Sequence, residues 1–165
     1  MATAQHHLSI YDPTSVPSGA GLRFALVVSE WNHAITDALR QGARETLLRH
    51  GVNEADIVER WVPGSFELAA GAQFLLESGS FDGVVCLGSV VRGETPHFDF
   101  VCQGTTQGIM AVGLKFSKPV IFGVLTDDTL QQAQDRSGGK HGNKGIDCAV
   151  AALKMAALRS SATGQ

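Results

Sequence analysis

The sequence predicts an α/β fold, a three-layer α/β/α sandwich built on a four-stranded parallel sheet. Two observations carry this. Short apolar runs rich in β-branched residues recur at 22–29, 56–62, 83–91 and 119–125, and each is followed by a stretch with helical spacing. Strands that alternate with helices form right-handed βαβ units, and near-continuous apolar strands are those covered on both faces. Ligands in such folds bind at the carboxyl ends of the strands.

Residues 1–21 form an N-terminal arm ahead of a single domain at 22–160. The arm has no sustained period, and its short apolar piece, Leu8-Ser9-Ile10-Tyr11, is suited to pairing with a sheet edge of this chain or a neighbour. His6 and His7 lack partner ligands at useful spacing and read as solvated tail residues. Leu22–Ser29 then reads as a central strand. Asn32 is a candidate N-cap of the next helix, whose stripe of Ile35, Ala38, Leu39, Ala43, Thr46 and Leu47 stops at His50-Gly51. Trp31, just past the strand, suits either a core or an aromatic platform for a planar ligand.

The second strand, 56–62, is broken by Pro63-Gly64-Ser65, and Phe66 to Ser78 has helical spacing through Phe66, Ala69, Ala70, Gln73 and Leu76. The third strand, 83–91, runs into Arg92-Gly93-Glu94. Thr95 is the expected N-cap, and Pro96 the first residue, of a helix reaching Phe116 with Phe98, Val101, Cys102, Thr105, Ile109 and Val112 inward. The fourth strand, 119–125, leads to Thr126-Asp127-Asp128 as the cap of a short helix, 129–136. Residues 137–145 read as a glycine- and lysine-rich loop. The last helix, 145–159, has Ile146, Val150, Leu153 and Ala157 inward.

Composition excludes several classes of function. The 165 residues are 44% apolar and 18% charged, the balance of a folded domain with room for a sizeable core. A formal charge of −3 offers no nucleic-acid or anionic-membrane surface, so an anionic substrate needs local donors. No run approaches the ~20 apolar residues that span a bilayer, and no signal peptide is visible, so a cytoplasmic location is expected. Cys86, Cys102 and Cys148 lie in apolar segments without CxxC spacing and read as reduced core cysteines.

The phosphate fingerprints are absent. No G-x-G-x-x-G follows the first strand, no G-x-x-x-x-G-K-[ST] fits the 137–145 loop, and neither G-x-S-x-G nor H-E-x-x-H occurs. What remains is a strand-to-helix corner at Gly88–Phe100. The Glu94 and Thr95 amides point toward a helix N-terminus, which binds phosphate. The Glu94 side chain should face away, and Arg136 or Lys140 is a candidate counter-charge. His97 is either a helix-terminal histidine satisfied by solvent or a residue that moves protons near neutral pH. Lys144 is either a second phosphate donor or a helix-terminal charge.

These residues resemble the lumazine synthase family. The likeness is carried by Trp31-Asn32, Pro-Gly-Ser-Phe-Glu at 63–67, Leu-Gly-Ser-Val-Val-Arg-Gly-Glu-Thr-Pro-His-Phe-Asp at 87–99, Pro-Val-Ile-Phe-Gly-Val-Leu-Thr at 119–126, Gln-Ala-Gln-Asp-Arg at 132–136 and Gly-Asn-Lys-Gly at 142–145. In order and spacing they agree over about residues 22–158. The resemblance implies a flavodoxin-like strand order and condensation of 5-amino-6-(D-ribitylamino)uracil with 3,4-dihydroxy-2-butanone 4-phosphate. The products are 6,7-dimethyl-8-ribityllumazine, phosphate and water, in riboflavin biosynthesis, with no metal or other cofactor.

By position, the resemblance makes Trp31 the face that stacks on the pyrimidine, where the family often has Phe. Ser65, Phe66 and Glu67 would hold the ribityl chain; Ser89, Val90 and Val91 would line the ring site. Glu94 and Thr95 would bind phosphate with Arg136 as counter-charge, and His97 would transfer protons. Phe122 is expected from the neighbouring subunit, and Asn32, Lys140 and Lys144 are further candidates. The resemblance also implies a homo-oligomer with sites between subunits: a pentamer, a decamer or a 60-subunit shell. The short 137–145 loop favours the shell, the arm is expected to add a strand to an adjacent subunit, and riboflavin synthase is a candidate partner. The competing readings are a non-catalytic flavin- or lumazine-binding protein of the same fold, a structural shell protein and a flavodoxin-like FMN carrier. The first could dispense with His97 and Arg136, the second has no need of a phosphate turn, and the third wants its phosphate loop after the first strand.

Overall fold

The computed structural model describes residues 7–164. Its main sheet consists of β1 (Phe24–Ser29), β2 (Ile57–Val62), β3 (Gly83–Val91) and β4 (Val120–Asp127), all parallel in the order β2-β1-β3-β4. Every residue of β1 is buried because helices cover both faces of the sheet. Phe24, Leu26 and Val28 point into one core layer, while Ala25 and Val27 point into the other, as a period of two dictates. The first layer is closed by α1 (His33–Arg49) and α5 (Lys144–Thr163), the second by α2 (Leu68–Ser78) and α3 (His97–Phe116). The three-layer parallel sandwich and its flavodoxin-like order are as expected.

Helix α1 ends where its sequence says. Gly51 adopts φ 90°, its amide donates to the Leu48 carbonyl, and the Val52 amide reaches Leu47. Those two bonds form a Schellman motif that satisfies the last carbonyls of the helix. Residues 137–145, expected as a loop, contain an antiparallel hairpin of β5 (Ser137–Gly139) and β6 (Gly142–Asn143) after α4 (Leu130–Arg136). Two- and three-residue strands are too short to show a period.

Other differences have local causes. Thr95 is not the N-cap of α3; Pro96 holds that position in helical geometry, and no side chain caps the end. Thr126 and Asp127 belong to β4, and the cap of α4 is Thr129, whose hydroxyl accepts from the Gln132 amide. The buried face of α2 is Leu68 and Ala72, not the stripe through Ala70 and Gln73, because a 3₁₀ turn at Ser65–Glu67 precedes the helix and offsets its phase. Phe66 is left exposed. On α5 the inward residues are Cys148, Ala149, Val150, Ala152, Leu153 and Ala156, with Ile146 and Ala157 at the margin. Small residues at alternate phases let α5 lie close to α1. Helix α5 also runs four residues beyond the expected end.

Residues 7–21 dock on their own chain. The Leu8 amide donates to the His141 carbonyl, the Ser9 hydroxyl accepts from the Asn143 amide, and Tyr11 hydroxyl meets His50 Nε2 at 3.1 Å. Val16 joins the core beside α5. His7 is half-buried and lies against Gly142, so it is not a solvated tail residue; His6 falls outside the described residues. Cys86 and Cys148 are buried free thiols, and burial raises both above the usual thiol range, Cys148 to about 12. Cys102 is only partly covered, on α3. Among the described residues no helix is long and apolar enough to cross a membrane.

Two predictions follow from packing and burial. At Gly145, where α5 starts against α1, an added Cβ would run into the Leu39 carbonyl. Gly145→Ala is expected to cost about 1–3 kcal/mol by overpacking, read as a lower urea midpoint with an unchanged slope. Asp127 ends β4 with 6% of its surface exposed, and burial raises its pKa above the ordinary value more than Arg136 lowers it. A raised carboxyl pKa favours the protonated folded form. Asp127 therefore destabilises the fold above its folded pKa, and this cost fades as pH falls through that pKa and the unfolded one. Asp127→Asn should raise the thermal midpoint near neutral pH and lose that advantage in acid; an equal gain at all pH values would contradict the assignment.

Candidate active site

A cleft of about 630 Å³ opens at the carboxyl ends of β1, β2 and β3. Three strand-to-helix connections build it, and the strands end at different heights. Strand β1 pairs with β3 only as far as Val28 opposite Leu87, whereas β3 continues to Val91 along β4. The last residues of β3 thus stand as a wall with no β1 strand beside them. Trp31, 73% exposed on the β1 side, faces the same space. Its exposure excludes the core reading.

The floor and far side come from Pro63 to Glu67. The Ser65 carbonyl accepts from the Thr105 hydroxyl at 3.2 Å, which ties this turn to α3. Ser65 and Ser89 hydroxyls are both buried without a hydrogen-bond partner among the described residues. Gly88 makes room for Ser65: a Cβ there would sit 2.6 Å from Ser65 Oγ. Two buried hydroxyls unsatisfied at the base of an open cleft are groups a polar ligand can engage, since leaving them unpaired costs about 1–3 kcal/mol each.

The third connection is the strand-to-helix corner. Gly93, Thr95 and His97 line the cleft, and Glu94 is exposed outside it. Arg92 fixes the corner. Its amide donates to the Asp127 carbonyl at 2.9 Å, its guanidinium contacts Asp128 and Asp99 at 2.8 and 3.2 Å, and it lies 4.1 Å over the Phe98 ring. Asp99 therefore serves Arg92. Sequence reasoning missed this brace, although three charged residues spaced around two strand ends were its available signal.

Nine expected site residues meet in this cleft: Trp31, Ser65, Phe66, Glu67, Ser89, Val90, Val91, Thr95 and His97. Phe100 and Val101, from the first turns of α3, also line it and were not expected there. Six others, Glu94 among them, lie outside the cleft of a single chain. Phe122 is on β4, at the sheet edge. Arg136 Nη1 donates to the Gln132 carbonyl and stands 3.7 Å from Asp127 Oδ1. Lys140 pairs with Asp135 at 3.3 Å. Lys144 pairs with Asp147 at 2.5 Å; burial lowers its pKa, but the Asp147 contact outweighs this and leaves it raised. Asn32 holds the N-cap position in left-handed geometry but does not cap; its side-chain amide donates to the Ser89 carbonyl at 2.9 Å. Among the described residues no cluster of three or more His, Cys, Asp or Glu could hold a metal ion.

Sequence comparison bears on what this cleft belongs to. Residues 21–160 match the family described as 6,7-dimethyl-8-ribityllumazine synthase. The chain is 55% identical over 158 residues to the protein of that name from Porphyromonas gingivalis, covering 96% of this chain and 98% of the relative. It is 53% identical to the one from Phocaeicola vulgatus, covering 94% and 92%, and 52% identical to the one from Cytophaga hutchinsonii, covering 95% and 98%. Matched along nearly its whole length and through every connection that forms the cleft, the chain belongs to the 6,7-dimethyl-8-ribityllumazine synthase family.

Proposed function

We propose that this chain condenses 5-amino-6-(D-ribitylamino)uracil with 3,4-dihydroxy-2-butanone 4-phosphate to give 6,7-dimethyl-8-ribityllumazine, phosphate and water in riboflavin biosynthesis. One observation supports this above all: an exposed Trp31, Ser65 and Ser89 with their unpaired buried hydroxyls, and His97 at a glycine turn line one cleft. The pyrimidine stacks on Trp31 against Ser89, Val90 and Val91. The ribityl chain, a run of hydroxyls, is held at Ser65, Phe66 and Glu67. The phosphate sits at the Glu94 and Thr95 amides, where the positive end of α3 favours an anion.

Chemistry here consists of imine formation, loss of phosphate and ring closure, each mainly a movement of protons between fixed atoms. Holding two reactants in line contributes ~7–11 kcal/mol at best, and His97, as the proton-transfer residue, adds ~10²–10⁴-fold. Arg136 supplies the counter-charge to phosphate. Its hold on Asp127 is long, at 3.7 Å, so it exchanges a weak partner for a strong one.

Arg136 and Phe122 lie outside the cleft of their own chain, which supports a site completed across a subunit interface. Exposed Phe100, Met110 and Leu114 on α3 give that helix an apolar outer face suited to burial in an oligomer. A 60-subunit shell is preferred to a bare pentamer on the short 137–145 connection, with the arm adding a strand to an adjacent subunit and the enzyme working in the cytoplasm. Lys140 and Lys144 remain with their acidic neighbours and steady the hairpin and the start of α5.

Supplying both substrates should produce the absorbance and fluorescence of the lumazine; no product at high enzyme concentration rejects the reading. His97→Ala is expected to slow turnover by up to ~10²–10⁴-fold yet leave measurable activity, whereas Arg136→Ala should chiefly raise KM for the phosphate substrate. Unchanged turnover in His97→Ala removes its proposed role. Co-assembling these two variants provides a separate check. Mixed oligomers should exceed the mean activity of their parents, because some interfaces pair an intact His97 with an intact Arg136; no gain means both residues act from one chain. Sedimentation of the same protein distinguishes a shell from a pentamer.

A further inference from the structure

Strand β1 stops pairing with β3 at Val28, yet β3 continues for four residues past Leu87. The Ser89 carbonyl on that overhang is met by a side chain instead of a strand: Asn32 Nδ2 donates to it at 2.9 Å. Asn32 holds φ 59° and ψ 44°, one of two non-glycine residues with positive φ among those described. That conformation is costly for most side chains and tolerated by asparagine. At the N-cap position an asparagine ordinarily bonds the helix amides; here it makes no cap bond and crosses to β3. Trp31 is the preceding residue, and Ser89 begins the opposite wall of the cleft.

We propose that Asn32 is a positioning residue. Its amide takes the place of the missing strand, joins the Trp31 connection to the overhang of β3, and so fixes the width of the slot between them. This rests on the reading of that slot as the pyrimidine site. Asn32 does not line the cleft, so it acts through Trp31 and Ser89 and need not touch the ligand. The donated bond is the essential part: a carboxylate in the same place would repel the Ser89 carbonyl, and a glycine would keep the backbone turn without any bond.

Asn32→Asp preserves shape and removes the donor; Asn32→Gly preserves the left-handed turn and removes the side chain. Titration calorimetry of the full-length oligomer with 5-amino-6-(D-ribitylamino)uracil and, separately, inorganic phosphate reads the two halves of the site. Both variants should bind the pyrimidine about 3–10-fold more weakly, the size expected for one lost hydrogen bond, and bind phosphate like the parent. Asn32→Gly should keep a parent-like unfolding midpoint and oligomer size, which separates a slot effect from a general loss of fold. Parent-like pyrimidine binding in Asn32→Gly overturns the proposal, as does equal weakening for both ligands. If the parent protein itself binds no pyrimidine, the reading of the slot fails, and the proposal with it.

Discussion

The unequal length of neighbouring strands is the constraint on which the site depends. A parallel sheet satisfies backbone groups only where strands run side by side. β3 outlasts β1, and its final residues pair with β4 alone on one edge. An overhang of this kind must find other partners, and it finds Asn32 on one residue and open cleft on the rest. The binding wall is thus a direct result of where β1 ends. β1 ends because Glu30-Trp31-Asn32 turns the chain, with Asn32 in left-handed geometry, into α1.

The two core layers hold that overhang rigid. Val85 and Leu87 anchor in the α1–α5 layer, while Val84 and Cys86 anchor in the α2–α3 layer. A strand fixed on both faces cannot tilt to close the cleft, so any adjustment to a ligand belongs to the connections. Those connections are themselves tied down: Thr105 holds the turn at Ser65, and Arg92 holds the turn at Gly93. Most of these ties are bonds between connections and neighbouring elements, which is why the site is defined before any ligand arrives.

Much of this was legible in the sequence. The layers followed from apolar runs that alternate with helical periods, while the strand order and nine cleft residues followed from the family resemblance of motifs at strand ends. The failures share a cause. The faces of α2 and α5 were misread because alanine is compatible with either side of a helix, so the 3₁₀ turn ahead of α2 and the close approach of α5 to α1, not hydrophobicity, chose the phase. Thr95 looked like a cap by composition, yet Pro96 already adopts helical angles and no side chain closes that end. Asn32 was placed at the right position with the wrong partner, since its partner lies 57 residues away on another strand. Leu8 and Ser9 likewise bond to residues more than a hundred positions distant, which no local pattern records.

A net charge of −3 does not by itself decide whether an anion can be held. Field strength at a distance matters little once a ligand is within a cleft; the free donors and the cations that can be released decide binding. The cations near the strand ends differ in how firmly they are held. Arg92 is shared between two carboxylates at 2.8 and 3.2 Å, and Lys144 has Asp147 at 2.5 Å. Arg136, besides its bond to the Gln132 carbonyl, meets a carboxylate only at 3.7 Å among the described residues, and that carboxyl, Asp127, is buried where its charge is disfavoured. A weakly satisfied guanidinium on the rim loses little by leaving such a partner. The same loose pair contributes little to the fold, and it leaves Arg136 the least firmly held by carboxylates of the three cations.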